Sequence, residues 1–286
     1  MFKIAYKRDQ KYHFSPLRYP GGKTCLFPFL GNVIKENKLE SVTYVEPFAG
    51  GAGAALALLY LEKVDRIVIN DFDKAIYSFW KSAIFDSERF IKKIFNVPVN
   101  VNEWRKQKAI NINDVSSCFD LGFSTFYLNR TNISGVLDAR PIGGLNQKGK
   151  WKIDARFNKV TLAERVRQLS EYKNRITVLN EDGLKLIDDY LNRKNVFMYL
   201  DPPYFDKGAT LYLNHYQVDD HEALAKKLNE NPESFWVLTY DDKPEIKSLY
   251  LKRRTVDFSL AYNVREARKG KEIMIMSDIL SIKKHG

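Results

Sequence analysis

Cysteine is nearly absent from this chain: 286 residues contain two, Cys25 and Cys118. No disulfide framework is implied, and a reducing compartment is the default. Long apolar runs are missing as well. The longest candidate, Ala52 to Leu61, falls short of the ~18–20 residues that cross a bilayer. The opening MFKIAYKRDQKYHF lacks the apolar core of a secretory signal, so a cytoplasmic chain with no membrane attachment is expected. Histidine is scarce, and His13, His215, His221 and His285 show no ligand spacing, so no metal site is expected. There is no internal repeat and no low-complexity tract. Negative charge is in deficit: 46 Lys and Arg stand against 35 Asp and Glu, for a net charge of +11 and a pI near 9.4. Such a balance points to an anionic partner, nucleic acid first.

What is present is an ordinary globular composition, 44% hydrophobic and 28% charged, long enough for one large domain or two modest ones. The first part alternates strand and helix. Ser41–Glu46 (SVTYVE) is a β-branched run, followed by a Gly/Ala turn, an apolar helix from about Ala52 to Glu62, and a second strand, Arg66–Asn70. Strand, glycine turn, helix and strand make a βαβ unit and hence a parallel sheet. An aromatic-rich, interrupted helix is expected from Asp73 to about Phe95. Asp114–Arg130 and Lys159–Tyr172 read as helices, with a Gly/Lys-rich loop or hairpin at Ile133–Asp154 between them. The α/β rhythm then returns, with strands at Ile176–Leu179, Val196–Leu200, Phe235–Thr239, Thr255–Phe258 and Ile273–Met276. The stretch Arg130–Arg175 holds 11 Lys/Arg against four Asp/Glu. A basic, mostly helical module is thus expected inside one α/β sheet domain, with residues 1–84 and 176–286 forming the sheet domain and 85–175 the insert.

Two places carry chemistry. In Glu46-Pro47-Phe48-Ala49-Gly50-Gly51-Ala52-Gly53, glycines let the first strand turn sharply into the first helix and let a ligand approach the backbone. Asp71, at the end of the next strand, is spaced to accept hydrogen bonds from ribose hydroxyls. The unit is suited to an adenosine-containing cofactor, although it lacks the third glycine of the dinucleotide fingerprint; a turn closely packed for its own sake is the alternative. Pro20-Gly21-Gly22-Lys23-Thr24 does not qualify as a phosphate loop. Leu17 stands where that motif needs Gly and no strand precedes it, so Lys23 by itself reads as a surface lysine.

The second place is Asp201-Pro202-Pro203-Tyr204, after the apolar strand Val196–Leu200. The prolines stiffen the turn and remove two N–H donors, leaving acceptors (the Asp201 carboxylate and the Pro202 carbonyl) beside the flat face of Tyr204. Two acceptors and a π-face suit a planar base with an exocyclic amine.

Taken together these motifs resemble the Dam-type (D12 class) DNA adenine-N6 methyltransferases over nearly the whole chain and in the family's order. Phe14 to Lys23 resembles the N-terminal cofactor motif, Tyr44 to Gly53 the glycine motif, Asn70-Asp71 the ribose-binding acid, Phe126-Tyr127-Leu128-Asn129-Arg130 the start of the DNA-reading segment, and Asp201 to Tyr204 the catalytic motif. Asp182-Gly183 falls where the family contacts the cofactor adenine. The resemblance departs at Thr131-Asn132-Ile133-Ser134-Gly135, where Ser134 replaces the Asn of an Asn-Gly pair. It implies a Rossmann-like methyltransferase sheet with an inserted DNA-recognition domain, S-adenosylmethionine as methyl donor, no metal, and duplex DNA as substrate. It also allows a cognate restriction endonuclease as partner and a monomer or weak dimer. Tyr19, Gly21, Gly22, Lys23, Glu46 to Gly51, Gly53, Asp71, Asp182, Gly183 and Asp201 would serve the cofactor.

The chemistry expected is hydrogen bonding from the adenine N6–H groups to Asp201 and the Pro202 carbonyl. This localises the nitrogen lone pair for attack on the sulfonium methyl, with Asp201 stabilising the positive charge that develops. The base must leave the duplex for this to happen. Arg130, Arg140, Lys148, Lys150 and Lys152 are the candidate phosphate contacts, and Asn129 and Asn132 the candidate base readers. An RNA adenine or DNA cytosine-N4 methyltransferase would use the same chemistry. A silent DNA-binding homologue is opposed by the intact Glu46, Gly51, Asp71, Asp201 and Tyr204. A nicotinamide oxidoreductase leaves the Asp-Pro-Pro-Tyr turn and the basic insert unexplained.

Overall fold

A computed structural model describes residues 14–19, 21–112, 117–205, 216–259 and 271–282. His13, Pro20, His215 and His285 lie outside the described residues. The chain forms two compact units. The first comprises Met1–Tyr12, Lys23–Phe72 and Glu181–Gly286; the second comprises His13–Gly22 and Asp73–Asn180. The units therefore divide at 12/13, 22/23, 72/73 and 180/181, where the sequence pointed to 84/85 and 175/176.

Seven strands occur among the described residues, and six of them belong to the first unit: β1 (Thr43–Glu46), β2 (Arg66–Asn70), β4 (Val196–Leu200), β5 (Phe235–Asp241), β6 (Arg254–Ser259) and β7 (Lys271–Met276). They lie in the order β2-β1-β4-β5-β7-β6. β2, β1, β4 and β5 are parallel, while β7 runs antiparallel between β5 and β6. β4 is buried at all five positions, as a central strand covered on both faces must be, and hence reads as the unbroken apolar run VFMYL. From β1 the chain crosses to β2 on one side, and from β4 to β5 on the other. β1 and β4 thus flank the point where strand order reverses, and the crevice beyond their carboxyl ends is where open α/β sheets bind ligands. Glu46 ends β1 and Asp201 follows β4.

Helices α1 (Phe27–Glu36), α2 (Gly53–Tyr60), α8 (Gly183–Tyr190), α9 (Val218–Glu230) and α10 (Pro244–Leu249) complete the first unit. α2 is apolar all round and buried from Ala54 to Leu59, so it has no solvent face.

The second unit is helical: α3 (Lys74–Phe85), α4 (Ser87–Asn96), α5 (Val101–Ile112), α6 (Cys118–Thr131) and α7 (Lys159–Glu171), with β3 (Ile176–Leu179) near its end. The expected interruption between Asp73 and Phe95 is at Asp86, whose φ of −125° is not helical. Asp73, Ser117 and Asn158 cap α3, α6 and α7 with side-chain oxygens, satisfying N–H groups that have no partner in the first turn. The core is aromatic: Phe79, Phe90, Phe123, Phe126 and Phe157 touch in stacked and edge-on pairs. α3 and α6 pack closely because Gly122 carries no Cβ; one built there would lie 2.2 Å from the Ser78 carbonyl oxygen. The segment expected as a loop or hairpin opens with a 3₁₀ turn, Ile133–Gly135, and a single bridge between Asn132 and Pro141.

Candidate active site and nucleic-acid interface

At the end of β4 the Asp201 carboxylate is surrounded by donors. Leu200 is in register with Leu238, which puts Thr239 of β5 beside Asp201; the Thr239 hydroxyl donates to Asp201 Oδ1 at 2.8 Å. Having given its one proton, Thr239 Oγ1 accepts from Tyr199 Oη, 2.9 Å away. Tyr204 Oη donates to Asp201 Oδ1 at 3.3 Å. Lys23 Nζ donates to Asp201 Oδ2 at 3.1 Å and to Tyr204 Oη at 2.7 Å. A carboxylate offers about four acceptor sites, so these bonds leave one, on Oδ2, and its side chain keeps 22% exposure.

Lys23 is not a surface lysine. Its side chain is 4% exposed and lies between two carboxylates, with Glu272 Oε2 of β7 at 3.7 Å. Burial works against the ammonium, but Asp201 and Glu272 outweigh it and hold its pKa above the ordinary value.

The glycine turn occupies the end of β1. Glu46 is buried, and its Oε1 accepts from Tyr44 Oη at 2.9 Å and from the Ala55 amide at 3.1 Å. Burial pushes its carboxyl up to about 8. Gly50 and Ala52 adopt left-handed backbone, with φ of 46° and 45°, and this turns the chain into α2. The Gly50 amide donates to Asp71 Oδ2 at 2.9 Å, so the acid after β2 also braces the turn. Asn70 fastens the same loop from beneath: its amide nitrogen donates to Pro47 O and Glu181 O, and its oxygen accepts from Glu181 N, each at 2.9 Å.

Two glycines are required by packing. A Cβ on Gly53 would lie 1.9 Å from Thr24 Oγ1, and one on Gly183 would lie 2.4 Å from Phe48 Cε1. Close packing is therefore part of what the glycine motif does. Asp182 is the N-cap of α8, accepting from Leu184 N at 2.9 Å and Lys185 N at 3.1 Å. Thus Lys23, Glu46 to Gly53, Asp71, Asp182, Gly183 and Asp201 to Tyr204 share the first unit. Tyr19, Gly21 and Gly22 belong to the second, where the Gly22 amide bonds to Tyr19 O at 3.1 Å.

Residues whose part in the site the sequence did not suggest are Thr239, Tyr199 and Glu272; Asn70 was named beside Asp71, but not as the brace of the loop. Glu272 did carry a signal: a lone acid in the otherwise apolar strand run EIMIM is costly to bury without a partner.

In the second unit the expected base readers are tied into the protein by three hydrogen bonds each. Asn129 Oδ1 accepts from Arg18 N at 2.7 Å, and its amide nitrogen donates to Arg18 O at 2.8 Å and Gly135 O at 2.9 Å. Asn132 is wholly buried; it accepts from Trp104 Nε1 at 2.6 Å and donates to Val136 O and Leu137 O, both at 2.9 Å. An amide has two N–H donors and two acceptor lone pairs; both donors of each asparagine are taken by backbone carbonyls, so neither presents the donor-and-acceptor edge that pairs with adenine. Arg130 is buried at 7% exposure. Arg140, Lys148, Lys150 and Lys152 are exposed; Lys152 Nζ reaches Gln147 O at 2.6 Å, and Lys150 lies over Trp151 at 6.0 Å from the ring centre.

Known proteins can be set beside this geometry. A type II methyltransferase, M.CviBI, of Paramecium bursaria Chlorella virus NC1A is 26% identical over 202 residues, covering 66% of this chain and 68% of that protein. Two solved structures overlay it loosely. A candidate RNA methyltransferase of Pyrococcus horikoshii has a TM-score of 0.38 at 11% identity, covering 99% of this chain and 93% of its own. The rRNA methyltransferase AviRa of Streptomyces viridochromogenes has a TM-score of 0.37 at 10% identity, covering 96% of each chain. Neither likeness bears on substrate. The family model for the D12 class N6 adenine-specific DNA methyltransferases matches residues 19–267, a span that takes in the Lys23–Asp201 pair, the glycine turn and the basic helical segment, and this chain belongs to that family.

Proposed function

We propose that this chain transfers the methyl group of S-adenosylmethionine to N6 of an adenine swung out of duplex DNA. The observation that carries the reading is the Asp201 carboxylate, held at the end of a central strand by Thr239, Tyr204 and Lys23 with one acceptor site to spare. Family membership supports DNA adenine as the substrate class.

The residues present suit the donor. Glu46 and Asp71 place carboxyl groups around the left-handed turn at the switch point, matching the hydroxyls of S-adenosylmethionine, which supplies an electrophilic methyl when bound. Asp201 Oδ2 takes one N6–H and the Pro202 carbonyl the other. Both bonds strengthen as the nitrogen becomes tetrahedral and positive, so they favour the transition state over the ground state. Tyr204 offers its ring to the base, and stacking of this kind contributes about 1–3 kcal/mol per base. The proton leaves N6 after transfer, with Asp201 as its first acceptor. The exposed Arg140, Lys148, Lys150 and Lys152 supply phosphate contacts that help offset the few kcal/mol of extruding a base.

The test is incubation with labelled S-adenosylmethionine and unmethylated duplex DNA, with RNA in parallel, followed by digestion to nucleosides. Label in N6-methyladenine from DNA alone is the expected result. Label in RNA or in N4-methylcytosine would transfer the same chemistry to another substrate.

A further inference from the structure

A hydrogen-bonded pair buried among aromatic rings adds little to stability over two phenylalanines of the same shape, because both partners give up water for one bond. The first unit keeps such a pair beside the Asp-Pro-Pro-Tyr turn. His221, in the first turn of α9, is 2% exposed, and its Nδ1 shares a hydrogen bond of 2.6 Å with Oη of Tyr240, which is wholly buried on β5. Burial outweighs Asp241 and Asp220 and lowers the imidazole pKa, and it raises that of the phenol, so both partners stay uncharged near neutral pH. The other ring nitrogen, Nε2, is buried and has no hydrogen-bond partner among the described residues.

Both ends of the pair are anchored. The Gln217 amide donates to Asp220 Oδ2 at 2.8 Å and fixes the start of α9 just before His221. On β5, Tyr240 stands between Thr239, which donates to Asp201, and Asp241, whose Oδ1 accepts from the Phe205 amide at 3.3 Å. Three successive residues thus meet three parts of the catalytic turn, because the Tyr240 ring lies 6.3 Å from that of Tyr204, inclined at 41°. His221 meets the end of the same turn, with its ring centre 5.3 Å from that of Phe205.

The hydrogen bonds of Tyr204 run from Oη to Asp201 and Lys23. They fix where the tip of the side chain lies. They do not fix the plane of the ring, since rotation about the Cβ–Oη axis leaves Oη in place. The neighbouring ring has to do that. A phenylalanine pair would fill the space of His221 and Tyr240 but could tilt and slide, as dispersion contacts have little direction. A short hydrogen bond between a ring on α9 and a ring on β5 holds one orientation. We propose that His221 is a positioning residue for methyl transfer: through Tyr240 it sets the plane that Tyr204 turns toward the target base. The inference rests on the function proposed above and adds to it a group outside the catalytic turn. His221 also meets Tyr216 at 5.5 Å, and Tyr216 meets Phe48 of the glycine turn at 5.6 Å, so the cofactor side has to be measured separately.

The experiment compares the full wild-type chain with His221→Phe, Tyr240→Phe and the double variant. The measurements are melting temperature, S-adenosylmethionine affinity, single-turnover methylation of duplex DNA, and the fluorescence of 2-aminopurine, which stacking quenches, placed at the adenine that wild type methylates. Each single variant leaves one partner buried and unpaired and should melt below wild type. The double variant removes both and should melt above either single. Turnover should not follow: it should lie about tenfold or more below wild type in all three, with cofactor affinity within about twofold. The 2-aminopurine signal should brighten in all three, as it should in Tyr204→Ala. A double variant that regains turnover along with its melting temperature would show the pair to be structural and overturn the inference. Turnover lost with the 2-aminopurine signal unchanged, or lost in step with cofactor affinity, would place the effect elsewhere and also overturn it. Should the double variant not fold, Tyr240→Phe, which lacks one oxygen atom, decides the matter: wild-type turnover and signal in it overturn the inference. A wild-type chain that methylates no DNA adenine overturns the function proposed above and this inference with it; one that does, with the double variant indistinguishable from it, overturns this inference alone.

Discussion

Glu46→Gln isolates a buried acid at the ligand end of β1. The carboxyl is 4% exposed and takes hydrogen bonds from Tyr44 Oη and the Ala55 amide on a single oxygen. A glutamine can place its carbonyl oxygen on those same donors, so the variant mimics the protonated acid. Burial lifts the pKa from 4.5 to about 8 in the folded chain. Between those values the native state binds more protons than the unfolded one, so stability falls as pH rises. It is highest below about pH 4.5 and bottoms out above about pH 8. At about 1.36 kcal/mol per pH unit of unequal protonation, this one group costs the wild type about 2.5 kcal/mol between pH 5 and 7, and about 1.3 more by pH 9. The glutamine variant does not pay this cost. Urea unfolding of both proteins from pH 5 to 9 should therefore show the variant gaining on wild type by about those amounts. A stability difference that stays constant across the range would refute the argument that Glu46 is held neutral by burial.

Three further outcomes are expected. Asp201→Ala should lower methyl transfer by at least 100-fold, the scale of an electrostatic transition-state contact, while duplex affinity stays within about threefold; turnover close to wild type would remove Asp201 from the mechanism. Gly53→Ala should destabilise the chain by about 1–3 kcal/mol through its clash with Thr24 Oγ1. The double variant Gly53→Ala/Thr24→Ala should recover much of the loss, and a calorimetric melt of the three variants decides the point. Asn132→Ala deletes three buried hydrogen bonds and should cost about 2–4 kcal/mol with the methylated sequence unchanged. Altered sequence preference at unchanged stability would restore Asn132 as a base reader.

Much of the architecture is legible in local pattern. The runs TYVE, RIVIN and VFMYL appear as strands β1, β2 and β4; VFMYL is the uninterrupted apolar run that a parallel strand buried on both faces has to be. Aspartate, serine and asparagine stand at the starts of α3, α6 and α7 because an unpaired helix N–H needs an oxygen. The insertion of β7 antiparallel between β5 and β6 is not legible, since the run EIMIM would look the same in either direction. The glycine turn and the Asp-Pro-Pro-Tyr turn announce themselves through residue types that few other structures need.

Partnerships across the sequence could not be read in this way. Lys23 lies far from Asp201 and Glu272 in the chain, and only the sheet order β4-β5-β7 brings those two acids near one ammonium. Thr239 meets Asp201 through the register of β5 on β4. The polar residues of the Leu-Asn-Arg segment are equally ambiguous in isolation, as an asparagine looks the same whether it faces a base or ties down a backbone. The fold spends Asn129 and Asn132 on the backbone and buries Arg130 among three other arginines. Periodicity and turn chemistry, which depend on near neighbours, are carried by the sequence. Hydrogen-bond valence and charge compensation depend on what distant segments bring, and tertiary structure alone decides them.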